Sequence, residues 1–177
     1  MSGRRFRAPR GEVRPTSDRV REALFGRLDG LEGARVLDLY AGSGALGIEA
    51  ISRGAAEATF VESEARTLGV LRANLAALGI DSIGTVAPGD VPAVVCRLGR
   101  AKARFDLVLI DPPYASEEPT RAFEALVAAS ILAPGAMVVL ERDRRHPSPQ
   151  VEGLTAVDER RYGDTVLARF AAARTAE

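Results

Sequence analysis

Apolar and polar positions fall into blocks whose period switches repeatedly between that of a strand and that of a helix. Arg35-Val36-Leu37-Asp38-Leu39-Tyr40 reads as a buried strand, and Ala45 to Arg53 as a helix stopped by Gly54. A second strand is expected over Glu57 to Glu62, then a helix from about Glu64 to Leu78 that Gly79 ends. Ser82 to Val86 forms a short third strand, Val91 to Leu98 a short helix, and Phe105 to Ile110 a fourth strand. Pro119 to Ser130 is helical, with proline at a position tolerated in the first turn, and Met137 to Glu141 is the fifth strand. Ahead of this series, Val20, Leu24 and Leu28 recur at i, i+4 and i+8, predicting a helix that starts at Ser17 or Asp18 and ends at Gly30 or Gly33.

Strand and helix units of this length imply a parallel sheet covered on both faces and wound with right-handed crossovers. After Pro149 the rhythm changes. Leu154 to Arg161 and Thr165 to Phe170 flank Tyr162-Gly163-Asp164, a short glycine-bearing connection that predicts an antiparallel hairpin. The expected fold is α/β, with seven strands that are mostly parallel and a C-terminal antiparallel pair.

A chain of 177 residues with 46% hydrophobic residues can bury one core, so a single domain over 1–177 is expected. Within it, residues 1–15 read as a basic arm and 16–33 as an N-terminal helical extension. The net charge is zero but unevenly placed: Arg4, Arg5, Arg7, Arg10, Arg14, Arg19 and Arg21 face only Glu12 and Asp18 in the first 21 residues. A basic arm on an acidic globule suits a polyanion such as nucleic acid. Cys96 is the only cysteine, which excludes a disulfide within the chain and suggests a reducing compartment. Lying in the apolar stretch Val94 to Leu98, it is expected to be a packing residue and not a nucleophile. His146 has no second histidine or cysteine at ligand spacing, so no metal site is expected. The longest apolar stretch, Ala125 to Leu140, is interrupted and too short to span a bilayer. A cytoplasmic protein is expected, and a monomer, because no spare apolar helix face stands out.

The candidate chemistry sits where strands end. Gly42, Gly44 and Gly47 follow the first strand in the spacing G-x-G-x-x-G, and Glu62 comes twenty residues after Gly42. Glycines let backbone approach a ligand closely, and an acid on the next strand accepts hydrogen bonds from ribose hydroxyls. Taken alone, this fits a dinucleotide-dependent oxidoreductase. Three features favour another ligand. Asp38 would repel a pyrophosphate but suits a cationic amino-acid tail; Asp90 follows the third strand, where it can hold an adenine amine; and the fourth strand runs into Asp111-Pro112-Pro113-Tyr114. The two prolines lack N–H groups and fix the backbone, which leaves the Asp111 and Pro112 carbonyls as acceptors for an exocyclic amine. Tyr114 supplies a stacking face. A ligand with a ribose diol, an adenine amine, an ammonium and a sulfonium matches the four acids Asp38, Glu62, Asp90 and Asp111.

Val36 to Gly47, Glu62, Asp90 and Asp111 to Tyr114 together resemble the class I, Rossmann-like S-adenosylmethionine-dependent methyltransferases that act on amines. Two further segments, Arg14 to Phe25 and Arg161 to Val166, are similar to those of the bacterial RsmD family, which methylates guanine N2 in 16S ribosomal RNA. The resemblance implies that Asp38, Tyr40, Gly42, Ser43, Gly44, Glu62 and Asp90 hold S-adenosylmethionine, released as S-adenosylhomocysteine, without a metal. It implies that Asp111, Pro112, Pro113 and Tyr114 receive the base, and that Arg14 and Arg19 join Arg4, Arg5, Arg7 and Arg10 on the RNA. The implied partner is 16S ribosomal RNA or a small-subunit assembly intermediate. Asp at position 111 also occurs in adenine methyltransferases, so a DNA or RNA adenine-N6 enzyme is the alternative. A non-catalytic RNA-binding module is a third reading.

Overall fold

The computed structural model describes residues 15–113 and 118–173. Its elements follow in the order α1 (Pro15–Phe25), β1 (Arg35–Leu39), α2 (Ala45–Ser52), β2 (Glu57–Glu62), α3 (Ala65–Leu78), β3 (Gly84–Pro88), α4 (Val91–Arg100), β4 (Phe105–Ile110), α5 (Glu118–Ala128), β5 (Leu132–Asp143), β6 (Leu154–Tyr162) and β7 (Thr165–Ala172). They build one seven-stranded sheet in the order β3-β2-β1-β4-β5-β7-β6. β1 to β5 pair in parallel, while β7 runs antiparallel to β5 and to β6. The α/β sheet with a C-terminal antiparallel hairpin is therefore as the sequence pattern predicts.

The sheet is covered on both faces, which is why β1 and β4 are almost continuously apolar. On one face Val36, Phe60, Leu107, Leu109 and Val139 pack against Val20, Leu24 and Phe25 of α1, Ala50 of α2, and Leu71 and Leu75 of α3. On the other, Leu37, Leu39, Val108, Ile110, Val138 and Leu140 meet Val91, Val94 and Val95 of α4, and Ala122, Phe123 and Leu126 of α5. Phe123 meets Phe170 of β7 edge to face, with ring centroids 4.8 Å apart. This division decides which strand-tip side chains share a side.

Several details differ from the sequence reading: α1 already starts at Pro15, ahead of the expected caps at Ser17 or Asp18, and α4 runs on past Leu98 to Arg100. α1 stops at Phe25 and not at the later glycines: the Arg27 N–H turns back to the Leu24 carbonyl, and the Arg27 side chain and carbonyl are engaged by Asp158 and Arg169 of the hairpin. Tertiary contacts thus override the apolar spacing that extends to Leu28. β3 begins at Gly84, two residues later than expected, because the Gly84 N–H is taken by the Ile80 carbonyl at the turn after α3. β5 starts at Leu132, with a register shift against β4 that absorbs Ala133 to Ala136. Finally, Cys96 is exposed and not a packing residue. Val91, Val94 and Val95 occupy the inward stripe of α4 at i, i+3 and i+4, and the next position turns out to solvent.

β6 forms an edge strand with Glu159, Arg160 and Arg161 exposed, charges that discourage pairing with another chain. A register shift between Ala156 and Asp158 leaves Val157 half exposed. Among the described residues no helix is long and apolar enough to cross a membrane.

Candidate active site

β1 ends in a sharp turn. Tyr40 adopts φ 60°, unusual for a residue with a side chain, and Gly42 and Gly44 follow at 56° and 88°. The three glycines serve different ends. A Cβ on Gly44 would meet Leu71 Cδ1 at 2.5 Å, and one on Gly47 would run into the Phe60 ring, so these two let α2 seat against β2 and α3. Around Gly42 the space is open, apart from the Tyr40 carbonyl at 4.0 Å.

Side chains from three elements pin this turn. Glu62 Oε2 accepts the Gly42 N–H at 2.9 Å, and Glu62 Oε1 accepts the N–H groups of Ser63 and Glu64 at 2.8 Å each. Asp38 Oδ2 accepts the Gly47 N–H at 2.9 Å, and Asn74 of α3 donates from Nδ2 to the Ser43 carbonyl at 2.9 Å. Asp38 is only 1% exposed and sits beneath the turn. Burial pushes its carboxyl well above the ordinary range, the Gly47 N–H opposes this, and the charges of Asp111 and Glu62 raise it further.

Above the turn lies a cavity of about 250 Å³ lined by Tyr40, Glu62, Ser63, Gly89, Asp90 and Pro113, among others. It is suited to the nucleoside part of a cofactor, with carboxylates from the tips of β2 and β3 at two of its walls. Gly89 reaches φ 135° there, a conformation that delivers Asp90 to the start of α4. Asp90 occupies the N-cap position of α4, yet its side chain makes no capping hydrogen bond. A carboxylate placed only to cap the helix would bond the N–H groups of the first turn.

β4 ends with Asp111, whose N–H points to the Leu39 carbonyl at 3.5 Å, followed by buried Pro112 and exposed Pro113. Pro113 joins the wall of the cavity, so the strand tip and the glycine turn open onto one space. The Asp111 side chain reaches solvent, but the protein around its carboxyl pushes it up to about 6. Glu141, on β5 one step past the last pair with β4, is pushed up to about 8, first by burial and then by the charge of Asp111.

The structure therefore gathers Tyr40, Glu62, Asp90 and Pro113 around one cavity, sets Gly42, Ser43 and Gly44 in the adjoining turn, and places Asp38 underneath. Tyr114 lies outside the described residues, as do Arg4, Arg5, Arg7, Arg10 and Arg14; Arg19 is exposed on α1. Sequence reasoning missed two residues. Asn74 carries no motif, but an amide at a helix position whose neighbours Leu71 and Leu75 are apolar is a signal that it is buried for a bond. Glu141 repeats the pattern used to find the other acids, a carboxylate directly after an apolar strand. Cys96 borders a different cavity, with Gly99 of α4 and Ala129 just beyond α5.

A sheet in this order, with a glycine turn after β1 and acids at the tips of β2 and β3, defines the Rossmann-like methyltransferase class. The chain belongs to the RsmD family: the family model described as "Conserved hypothetical protein 95" matches residues 1–171. A Bacillus subtilis relative named "Putative rRNA methyltransferase YlbH" is 31% identical over 171 residues, covering 95% of this chain and 93% of its own. The "Ribosomal RNA small subunit methyltransferase D" of Haemophilus influenzae is 32% identical over 152 residues, covering 85% and 79%. Among solved structures, one titled "Putative methyltransferase yhhF from Escherichia coli" superposes with a TM-score of 0.86 at 31% identity, covering 98% of this chain and 94% of that one.

Proposed function

We propose that this protein is an S-adenosylmethionine-dependent ribosomal RNA methyltransferase acting on the exocyclic 2-amino group of a guanine in 16S RNA. One observation carries the reading: Pro113, within the amine-receiving motif at the tip of β4, lines the same cavity as Glu62 and Asp90. Donor and acceptor sites thus meet at one strand tip. The names of the relatives support an RNA of the small ribosomal subunit as substrate.

The residues present fit the cofactor. Glu62 retains acceptor capacity beyond its three backbone partners for a ribose diol, Asp90 stands free of capping duty for an adenine amine, and the open space at Gly42 admits the methionine portion. When bound, S-adenosylmethionine supplies an activated methyl group on a sulfonium. Asp111 and the Pro112 carbonyl orient the amine by accepting its hydrogens, which favours a pyramidal nitrogen as positive charge develops there. Much of the remaining rate enhancement is positioning, with Pro112 and Pro113 holding the backbone rigid and Tyr114 stacking on an extruded base. The proton lost from nitrogen goes to Asp111 or to water.

The arginines of the arm, Arg4, Arg5, Arg7 and Arg10 with Arg14 and Arg19, are proposed to neutralise RNA phosphates. Small subunits from cells lacking the protein, incubated with it and methyl-labelled S-adenosylmethionine, should yield N2-methylguanosine on nucleoside analysis of the 16S RNA. Label in N6-methyladenosine would establish the adenine reading instead. Unlabelled RNA from such subunits and from free 16S RNA, despite cofactor binding, would overturn both.

A further inference from the structure

We propose that Glu141 is a specificity-determining residue that, with Asp111, receives the Watson–Crick edge of guanine and rejects adenine. This rests on the methyl-transfer reading given above. β4 and β5 are parallel, and Ile110 stands opposite Leu140 as the last registered pair. Asp111 and Glu141 are each one step further, at equal height on adjoining strands roughly 5 Å apart. Their side is fixed by alternation. Leu107, Leu109 and Val139 face α1 to α3, whereas Val108, Ile110, Val138 and Leu140 face α4 and α5, so positions 111 and 141 return to the first side. Asp38 holds Gly47 on that same side.

Most other carboxylates near this end, and those of the hairpin, have donors; Asp90, without a capping bond, is given to the cofactor's adenine in the reading above. Glu62 takes three backbone N–H groups, Asp143 takes Arg145, Asp158 takes Arg27 and Arg169, and Glu159 takes Arg142 and Ser148. No cation and no N–H or O–H donor among the described residues reaches the side chain of Asp111 or Glu141. Asp111 is exposed and Glu141 half-buried, and two neighbouring acceptors to which no described residue donates suit a ligand edge that brings donors side by side. Guanine is the natural base with that edge: its N1–H lies beside its 2-amino group. Adenine places a bare N1 acceptor next to its amine, and cytosine does the same with N3; uracil has a single N–H between two carbonyls. Asp111 orients the amine, and Glu141 takes N1–H. Above about pH 8, where Glu141 is ionised, its carboxylate facing the bare N1 of adenine opposes two lone pairs and rejects that base by repulsion as well as by a missing bond; the protonated carboxyl, which can turn its O–H to that N1, rejects it less.

2-Aminopurine separates the two contacts, because it keeps the 2-amino group and lacks N1–H. Small-subunit RNA is ligated with guanine, 2-aminopurine or adenine at the methylated position, and kcat/KM is measured for each at about pH 8.5, where most of Glu141 is ionised. The wild-type protein should prefer guanine over 2-aminopurine by roughly tenfold or more, the size of one lost bidentate partner. Glu141→Gln should narrow that gap to about threefold or less, because a carboxamide can turn its NH2 to a bare N1. Glu141→Asp should retain the preference, and S-adenosylhomocysteine should bind all three proteins alike by calorimetry. If Glu141→Gln loses activity on guanine and 2-aminopurine equally, or keeps the wild-type ratio, the inference falls while guanine methylation stands. If the wild-type protein methylates adenine at that position, both fall. Should Glu141→Gln fail to fold, a loss of base preference in Glu141→Asp would equally overturn the assignment.

Discussion

The two halves of the crevice treat their carboxylates in opposite ways. On the β1–β3 side, Glu62 and Asp38 accept backbone N–H groups of the glycine turn, which Asn74 holds further, although burial raises Asp38 as well and Asp90 makes no capping bond. On the β4–β5 side, Asp111 and Glu141 lie one step past the last β4–β5 pair, with carboxyls pushed up to about 6 and about 8. A carboxylate answered by protein donors fixes a shape, whereas one without donors and partly desolvated by its surroundings costs stability until something binds. On the function proposed above, the first half is scaffold for a cofactor that must always sit in the same place, and the second is open to a base that arrives, reacts and leaves.

This contrast breaks most visibly at Asp111. Asp111→Ala should lower the single-turnover methylation rate by about 100- to 1000-fold, the scale expected for losing one group aimed at developing charge. The affinity for S-adenosylhomocysteine, measured by calorimetry, should change little. If rate and affinity fall together, the two halves do not divide the work as proposed.

Glu62→Ala strikes the other half, and the order of effects should reverse. Three backbone donors lose their acceptor at once, so the cofactor should bind at least tenfold more weakly and the fold should lose about 2 kcal/mol in chemical denaturation. With saturating cofactor, much of the methylation rate should return. A variant that binds cofactor normally would show that the turn needs no tether.

The distinction between these halves was only partly legible beforehand. Gly42, Gly44 and Gly47 are readable from spacing, yet spacing does not reveal that Gly44 and Gly47 admit Leu71 and Phe60, because that depends on which helix crosses which strand. The acids at strand ends were found by position; which of them are spoken for depends on N–H groups supplied by the turn. The sequence end of the fifth strand was placed at Glu141, and strand pairing alone shows that this residue stands beside Asp111. Cys96 was misread because a five-residue apolar window does not fix the phase of a helix, whereas Val91, Val94 and Val95 together do. The end of α1 was misread because Arg27 answers to Asp158, 131 residues away.

The acid pair also predicts a pH dependence with a definite sign. A carboxyl whose folded-state pKa lies above its unfolded value stabilises the fold fully below the unfolded pKa, and that contribution is lost as pH rises through the folded one. For Asp111 and Glu141 the loss runs from about pH 4 to about pH 8. The groups facing Glu141 on this side are Asp111 from β4 and Leu167 from β7, with Arg160 of β6 in the same row and Tyr162 of β6 further along; Arg142 is turned to Glu159. Glu141→Gln removes the later part of the loss. Relative to wild type, its melting temperature should therefore rise between pH 5.5 and pH 8.5, by an amount corresponding to about 1 to 2 kcal/mol. A constant difference between the two proteins across that range would mean that the pair is not coupled to folding.

The smallest effect, and the sharpest check on the scaffold half, belongs to Asn74. Its side chain is 3% exposed, between Leu71 and Leu75 on the buried stripe of α3, and its amide donates to the Ser43 carbonyl. Asn74→Ala removes that donor from a turn that Glu62 and Asp38 still hold, so about 1 kcal/mol of stability should go, and cofactor binding should weaken about threefold. Asn74→Asp is nearly the same size but points an acceptor at the carbonyl, so it should be worse than alanine at pH 8 and approach it in acid as the carboxyl is protonated and becomes a donor again. Neither change should alter the choice between guanine and 2-aminopurine, because the bond lost, to the Ser43 carbonyl, belongs to the glycine turn after β1. An effect of Asn74 on that choice would mean that the glycine turn and the base-receiving acids move as one unit, and the division between a fixed half and an open half would have to be given up.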